Sequence, residues 1–181
     1  MKFVTRPLAL IVTFFVTLAA QDFPRELHVS DSAPDFLLPY ATKDSVASEP
    51  LSISSLGGKR NIILAFYPAD WSPGCTKEVC TMRDNWSALA ELNAEVLGIS
   101  GDYEWSHHEW AKYHNLPFKL VSDHTHKVAR MYNSYNENTA SNKRTVFVID
   151  KQGKIAYIDL KYSVRDMNSF NALQQALKKL P

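Results

Sequence analysis

Apolar and polar positions along the chain alternate in blocks that predict a repeated strand–helix order. Residues 61–67, NIILAFY, form a continuous apolar run of strand length, as expected for a strand covered on both faces. After a break at residues 68–75, a helical pattern begins: Val79, Met82, Trp86 and Leu89 fall at i, i+3, i+7 and i+10, on one helix face. Ser72 stands where a cap belongs, and Pro73 suits the first helical position. Residues 95–100 read as a second buried strand, 104–115 as a helix, 118–121 as a short strand and 126–132 as a short helix. Residues 145–149, TVFVI, are a third strong strand, joined through a turn at 150–154 to a partner at 155–160. Met167, Phe170, Leu173, Leu177 and Leu180 stripe a terminal helix. Upstream, 51–53 is a short alternating segment, 57–60 a turn, and ordered chain is expected from Ala33-Pro34-Asp35-Phe36 onward.

Strands alternating with helices demand α/β layering, and the late hairpin adds antiparallel strands. The predicted class is a thioredoxin-like fold, with a central mixed sheet flanked by helices. No internal repeat and no second domain is visible.

The first twenty residues follow a different pattern. Lys2 and Arg6 precede a charge-free run, residues 8–20, LALIVTFFVTLAA. That run is of signal-peptide length and short for a transmembrane helix, which needs about 20 apolar residues. The reading is a signal peptide at 1–20, with an uncleaved membrane anchor as the alternative. A polar lead-in follows at 21–29, then one folded domain at 30–181. Export to the periplasm or exterior is expected, with no stable membrane association after cleavage.

Composition narrows the function. The 181 residues are 45% hydrophobic and 22% charged, which is globular. Twenty basic against 19 acidic residues leave a formal charge of +1, which argues against general nucleic-acid binding. There is no Gly-x-Gly-x-x-Gly and no phosphate loop. Five of the six histidines lie between 107 and 126; they read as solvated helix and loop residues, and His124-x-His126 alone is too little to predict a metal site. Trp105, Trp110 and Tyr113 read as core or groove aromatics.

Only two cysteines occur, Cys75 and Cys80. Cys75 falls at the third position of the predicted helix, where free N–H groups and the positive end of the dipole favour a thiolate. Ser72 lies three residues earlier, and Gly74 permits close approach of a small substrate to the backbone. In an intact helix Cys80 sits about 140° around and about 7.5 Å along the axis from Cys75. A disulfide needs Cα atoms roughly 4.4–6.8 Å apart with converging Cβ vectors. The two therefore bond only if the helix start unwinds. A permanent structural disulfide is the competing reading, but a loop this short would contribute only about 2 kcal/mol and would break the helix. Glu78 reads first as an acid favouring the helix dipole, with contact to an active-site arginine as the alternative; Arg83 reads as a surface charge.

The segment 66–80, FYPADWSPGCTKEVC, resembles the active-site segment of peroxiredoxins, closest to the peroxiredoxin Q or bacterioferritin comigratory protein branch. The family pattern Pro-x-x-x-Thr/Ser-x-x-Cys is met by Pro68, Ser72 and Cys75. Residues 33–36, 56–59, 98–102, 116–118 and 121–123 follow in family order. Arg144 opens a segment similar to the one carrying the family's active-site arginine. The likeness spans about 30–180. Ser72 stands for the commoner threonine, and the polar stretch 133–143, read as a surface loop, replaces a shorter link.

The resemblance implies a thioredoxin-like fold with an N-terminal peroxiredoxin extension and a thiol-dependent peroxidase acting on hydrogen peroxide and organic hydroperoxides. It implies that Cys75 is peroxidatic, becoming a sulfenic acid, and that Cys80 is resolving, closing an intramolecular redox disulfide. Arg144 would hold the thiolate and polarise the peroxide, Ser72 would hydrogen-bond it, and Pro68 would shield the thiolate. No metal or organic cofactor is implied. The implied reductant is a thioredoxin-like protein, and the implied state is a monomer. The alternative is an exported thioredoxin-like thiol–disulfide oxidoreductase, against which the missing Cys-x-x-Cys counts.

Overall fold

In a computed structural model, the structure describes residues 26–181; the leader at 1–20 and most of the lead-in lie outside them. The chain runs through β1 (Tyr40–Ala41), α1 (Ile53–Leu56), β2 (Asn61–Phe66), α2 (Pro73–Asp84), α3 (Trp86–Glu91), β3 (Ala94–Ser100) and α4 (Glu104–Tyr113). It continues through β4 (Lys119–Ser122), α5 (Lys127–Met131), β5 (Tyr135–Asn136), β6 (Ser141–Asn142), β7 (Thr145–Ile149), β8 (Ile155–Asp159) and α6 (Asn168–Leu177). Six strands form one mixed sheet in the order β1-β4-β3-β2-β7-β8. The pairs β2–β3 and β3–β4 are parallel; β1–β4, β2–β7 and β7–β8 are antiparallel. This is the predicted α/β layering, with β1 as an additional edge strand.

The continuous apolar runs have the reason assigned to them. In β2 and β7 every residue is buried. Ile63 and Ala65 of β2, with Val146 and Val148 of β7, pack on the face covered by α2, α3, α4 and α6. Ile62, Leu64, Phe66, Phe147 and Ile149 pack on the other, under α1 and α5. The period-two alternation of a strand thus fills both layers. The domain is anchored early: Ser30 N–H donates to the Ile155 carbonyl at 2.7 Å. Among the described residues no helix is long and apolar enough to cross a membrane.

Four local expectations are corrected. The single helical stripe from Val79 to Leu89 is split at Asn85, the C-cap of α2 and the residue before α3. Asn85 Nδ2 donates to the Thr81 carbonyl at 2.9 Å, a local bond that competes with helix continuation. The stripe survives because Leu89 is still buried and Trp86 packs on Phe118. Residues 51–53 lead into the one-turn helix α1, capped where Ser52 Oγ accepts the Ser55 N–H at 3.1 Å. Residues 133–143 are not simply a surface loop: β5 and β6 form a small hairpin with Ser134 and Asn142 buried. Asn142 Nδ2 donates to the Ile99 carbonyl at 3.1 Å, which docks the hairpin on β3. Of the three aromatics, Trp110 is core, whereas Trp105 and Tyr113 are largely exposed.

Candidate active site

The site forms where β2 ends and α2 begins. Tyr67 continues the strand, donating its N–H to the Ile99 carbonyl at 3.0 Å, and residues 68–72 then turn the chain into α2. A buried polar cluster holds this turn. Tyr67 OH donates to Asp70 Oδ1 at 2.8 Å, and Ser106 Oγ donates to Asp70 Oδ2 at 2.8 Å. His107 Nδ1 lies 2.9 Å from Asp70 Oδ2, and its Nε2 lies 3.2 Å from the Val121 carbonyl. The Asp70 N–H donates to Asp102 Oδ2 at 2.9 Å. Burial and the neighbouring Asp70 carboxylate push the Tyr67 hydroxyl well above its usual value, so it stays a donor. His107 is therefore a buried structural ligand of the turn rather than a solvated residue. Fixed in this way, the turn places Trp71 in the left-handed region at φ 60°, an uncommon conformation for a bulky side chain.

Ser72 occupies the N-cap position, but it makes no side-chain cap. Its hydroxyl donates instead to the Ala69 carbonyl at 3.1 Å, leaving the oxygen lone pairs as acceptors. Pro73 is the first helical residue and Cys75 the third, so the Gly74 and Cys75 N–H groups have no carbonyl one turn back. Cys75 is fully buried, and both cysteines are free thiols on an unbroken α2. Pro68 is half-buried in the turn leading to them.

Arg144 comes from the other side, one residue before β7, which pairs antiparallel with β2 and so begins beside the end of β2 and the start of α2. Its Nη2 donates to Cys75 Sγ at 3.5 Å, and its Nη1 is ion-paired with Glu78 Oε2. Glu78 is completely buried, which settles its role: it orients Arg144 rather than favouring the dipole. Burial pushes the Glu78 carboxyl up to about 7 against the opposing pull of Arg144. Gly74 has a structural reason for being glycine: a Cβ there would lie 3.1 Å from Arg144 Nη2. Close approach of the guanidinium, rather than of substrate alone, is what the missing side chain permits.

Cys80 is partly buried five residues, about one and a half turns, further along, its Sγ 3.8 Å from His114 Nδ1. Arg83 is not a plain surface charge, since its Nη1 donates to the His114 carbonyl at 2.7 Å. His124 and His126 turn to other partners: His124 stacks on Tyr103, and His126 Nδ1 lies 2.8 Å from Asn142 Oδ1.

The structure thus brings Cys75 and Arg144 together, with Ser72 at the N-cap of the same helix, and leaves Cys80 on another face of α2. The sequence reading missed Asp70 and His107, and ranked Glu78 wrongly. A signal was present. Glu78 lies on the stripe of Cys75, Val79 and Met82, and His107 on that of Trp110 and Ala111; a polar residue on an apolar stripe is a buried one.

The chain and its fold are matched by known proteins. Residues 29–158 match the AhpC/TSA family. The chain belongs to that family. It is similar to peroxiredoxin Bcp of Bacillus subtilis, at 34% identity over 77% of this chain and 89% of that protein. It is also similar to the chloroplastic peroxiredoxin Q of Sedum lineare, at 38% identity over 66% of this chain and 64% of that one. Among solved structures, peroxidoxin BcpB of Mycobacterium tuberculosis superposes with a TM-score of 0.73 at 28% identity, over 84% of this chain and 97% of that one. The thioredoxin-like fold expected from the strand–helix order is the fold of these relatives.

Proposed function

We infer that this protein is a thiol-dependent peroxidase that reduces hydrogen peroxide and organic hydroperoxides, with Cys75 as attacking thiol and Cys80 as resolving thiol. The observation that carries this reading is the contact of Arg144 Nη2 with Cys75 Sγ at the start of α2, with Glu78 behind the guanidinium. A thiolate sulfur there bonds to one peroxide oxygen and the O–O bond breaks. The other oxygen leaves as hydroxide or alkoxide and is protonated to water or alcohol. Arg144 and the N–H groups of Gly74 and Cys75 stabilise the charge developing on the departing oxygen. Ser72, its proton directed to Ala69, accepts a hydrogen bond from the peroxide, and Pro68 limits water at the sulfur. The Cys75 sulfenic acid is then attacked by Cys80 after the start of α2 unwinds, releasing water and closing a disulfide. A thioredoxin-like protein supplies the two electrons that reopen it. No cofactor is required, and the chain acts as a monomer. Residues 1–20 support the further reading that it works outside the cytoplasm as a cleaved, exported protein.

Thiol counting tests the chemistry. Reduced protein mixed with one equivalent of hydrogen peroxide is expected to lose two thiols per chain within seconds. Cys75→Ser should lose none, and Cys80→Ser should lose one and retain a trappable sulfenic acid. Loss of a thiol from Cys75→Ser at the wild-type rate would overturn the assignment.

A further inference from the structure

Among the described residues His114 is the one histidine hydrogen-bonded to a cysteine, and neither the family's motif nor the chemistry above gives it a task. It follows α4 directly. Its N–H donates to the Trp110 carbonyl at 3.0 Å, and its carbonyl accepts from Arg83 of α2. The ring is held edge-on against Trp110 and Tyr113, with centroids 5.8 and 4.9 Å away, and Trp71 of the active-site turn lies 6.5 Å off. Backbone and ring are thus both fixed, and the fixed ring turns Nδ1 toward Cys80 Sγ at 3.8 Å, within reach of a sulfur hydrogen bond.

We propose that His114 is the general base of the resolving half-reaction, taking the Cys80 thiol proton so that Cys80 attacks oxidised Cys75 as a thiolate. This rests on the reading of Cys80 as the resolving thiol. In the step, the Sγ–H proton passes to His114 Nδ1 while α2 is whole, and once the start of α2 opens the sulfur electron pair bonds to the Cys75 sulfenic sulfur. The S–O bond breaks, and hydroxide leaves as water with the proton that solvent carries back from the imidazolium. Thiol and sulfenic acid become disulfide and water, and no further oxidant is consumed.

The surroundings keep both partners in the forms from which the step starts, a neutral imidazole and a protonated thiol. Burial and then the Arg83 charge hold His114 below its ordinary value, so its ring is neutral and able to accept at pH 7. Burial holds the Cys80 thiol above its ordinary value, with Asp84 adding to the rise and Arg83 opposing it, so Cys80 unaided is a poor source of thiolate. The charged groups around the pair are Arg83 and Asp84 on α2, and Lys43, which reaches across to Asn115 beside His114. The Arg83 charge acts on Cys80 and favours its thiolate whether the imidazole is neutral or charged.

His114→Phe keeps a ring against Trp110 and Tyr113 and removes Nδ1; His114→Gln serves if the phenylalanine variant fails to fold. Disulfide formation after one equivalent of hydrogen peroxide is followed by acid quench, alkylation and mass analysis. In either variant at pH 7 this step should slow about a hundredfold or more relative to the peroxide step. The inflection of its rate against pH should move up from the imidazole range to the thiol range. Independently of turnover, Cys80 as the only thiol in Cys75→Ser should react with iodoacetamide along a pH profile that the His114 substitution shifts upward. A disulfide forming at the wild-type rate, with an unchanged alkylation profile, would overturn the role of His114 while leaving the Cys75–Cys80 chemistry standing. A protein that forms no disulfide would overturn that chemistry, and the alkylation profile would still decide whether His114 takes the proton.

Discussion

Arg144 faces two groups, the Cys75 thiol and the Glu78 carboxylate, and the second decides how rigidly it serves the first. Glu78 Oε2 takes the guanidinium, while its Oε1 has no hydrogen-bond partner among the described residues, so ionising this buried acid is only partly compensated. The carboxyl accordingly titrates at about 7 in the folded protein against an ordinary value of 4.5. A raised acid binds its proton more tightly in the folded than in the unfolded state. Its stabilising contribution is therefore full below about pH 4.5 and is lost as pH rises through about 7. Glu78→Gln mimics the protonated acid and has no such dependence. Between pH 5 and pH 8 the wild-type protein should lose roughly 1–3 kcal/mol more stability than Glu78→Gln, read by urea unfolding of the reduced proteins. An identical pH dependence in both would show that Glu78 does not titrate in this window.

At the scale of elements, α2 carries both sulfurs and, in the proposed chemistry, is also the piece that comes apart. Its 12 residues hold Cys75 and Cys80 on different faces, and Asn85 separates it from α3, so its turns can open without disturbing the burial of Leu89. Disulfide formation should therefore be visible as lost protection. Hydrogen exchange of the oxidised protein is expected to rise at least about tenfold for amides of residues 75–82, while residues 170–177 of α6 keep theirs. A disulfide formed with α2 protection unchanged would mean that the sulfurs meet without unwinding. The boundary of α2 with the turn before it was legible in Ser72-Pro73, because proline at the first helical position leaves little choice. The break at Asn85 was not, because the apolar stripe runs across it and periodicity reports a face rather than continuity.

For the whole molecule, the sheet separates two apolar layers, and the cysteine chemistry lies in only one of them, between the end of β2, the start of α2 and the approach to β7. That domain begins to be tied into the sheet at Ser30, beyond the charge-free run of residues 8–20. Intact mass of protein from its native source should show a chain starting near Gln21. A mass retaining residues 1–20, in the membrane fraction, would make the segment an anchor.

What the sequence determined by itself are the features that local physics dictates. Strand-length apolar runs gave the sheet, proline and serine gave the start of α2, and the Pro68–Ser72–Cys75 spacing with Arg144 before a core strand pointed to the reacting sulfur and its cation. Tertiary structure decided what depends on partners distant in the chain. Glu78 meets Arg144 across 66 residues, Asp70 meets His107 across 37, and Cys80 meets His114 across 34. A polar residue on an apolar stripe announces that it is buried, but the group that satisfies it comes from another element. Only the packing of α4 and β7 against α2 brings that group within hydrogen-bonding distance, and desolvation then sets the charge each one carries.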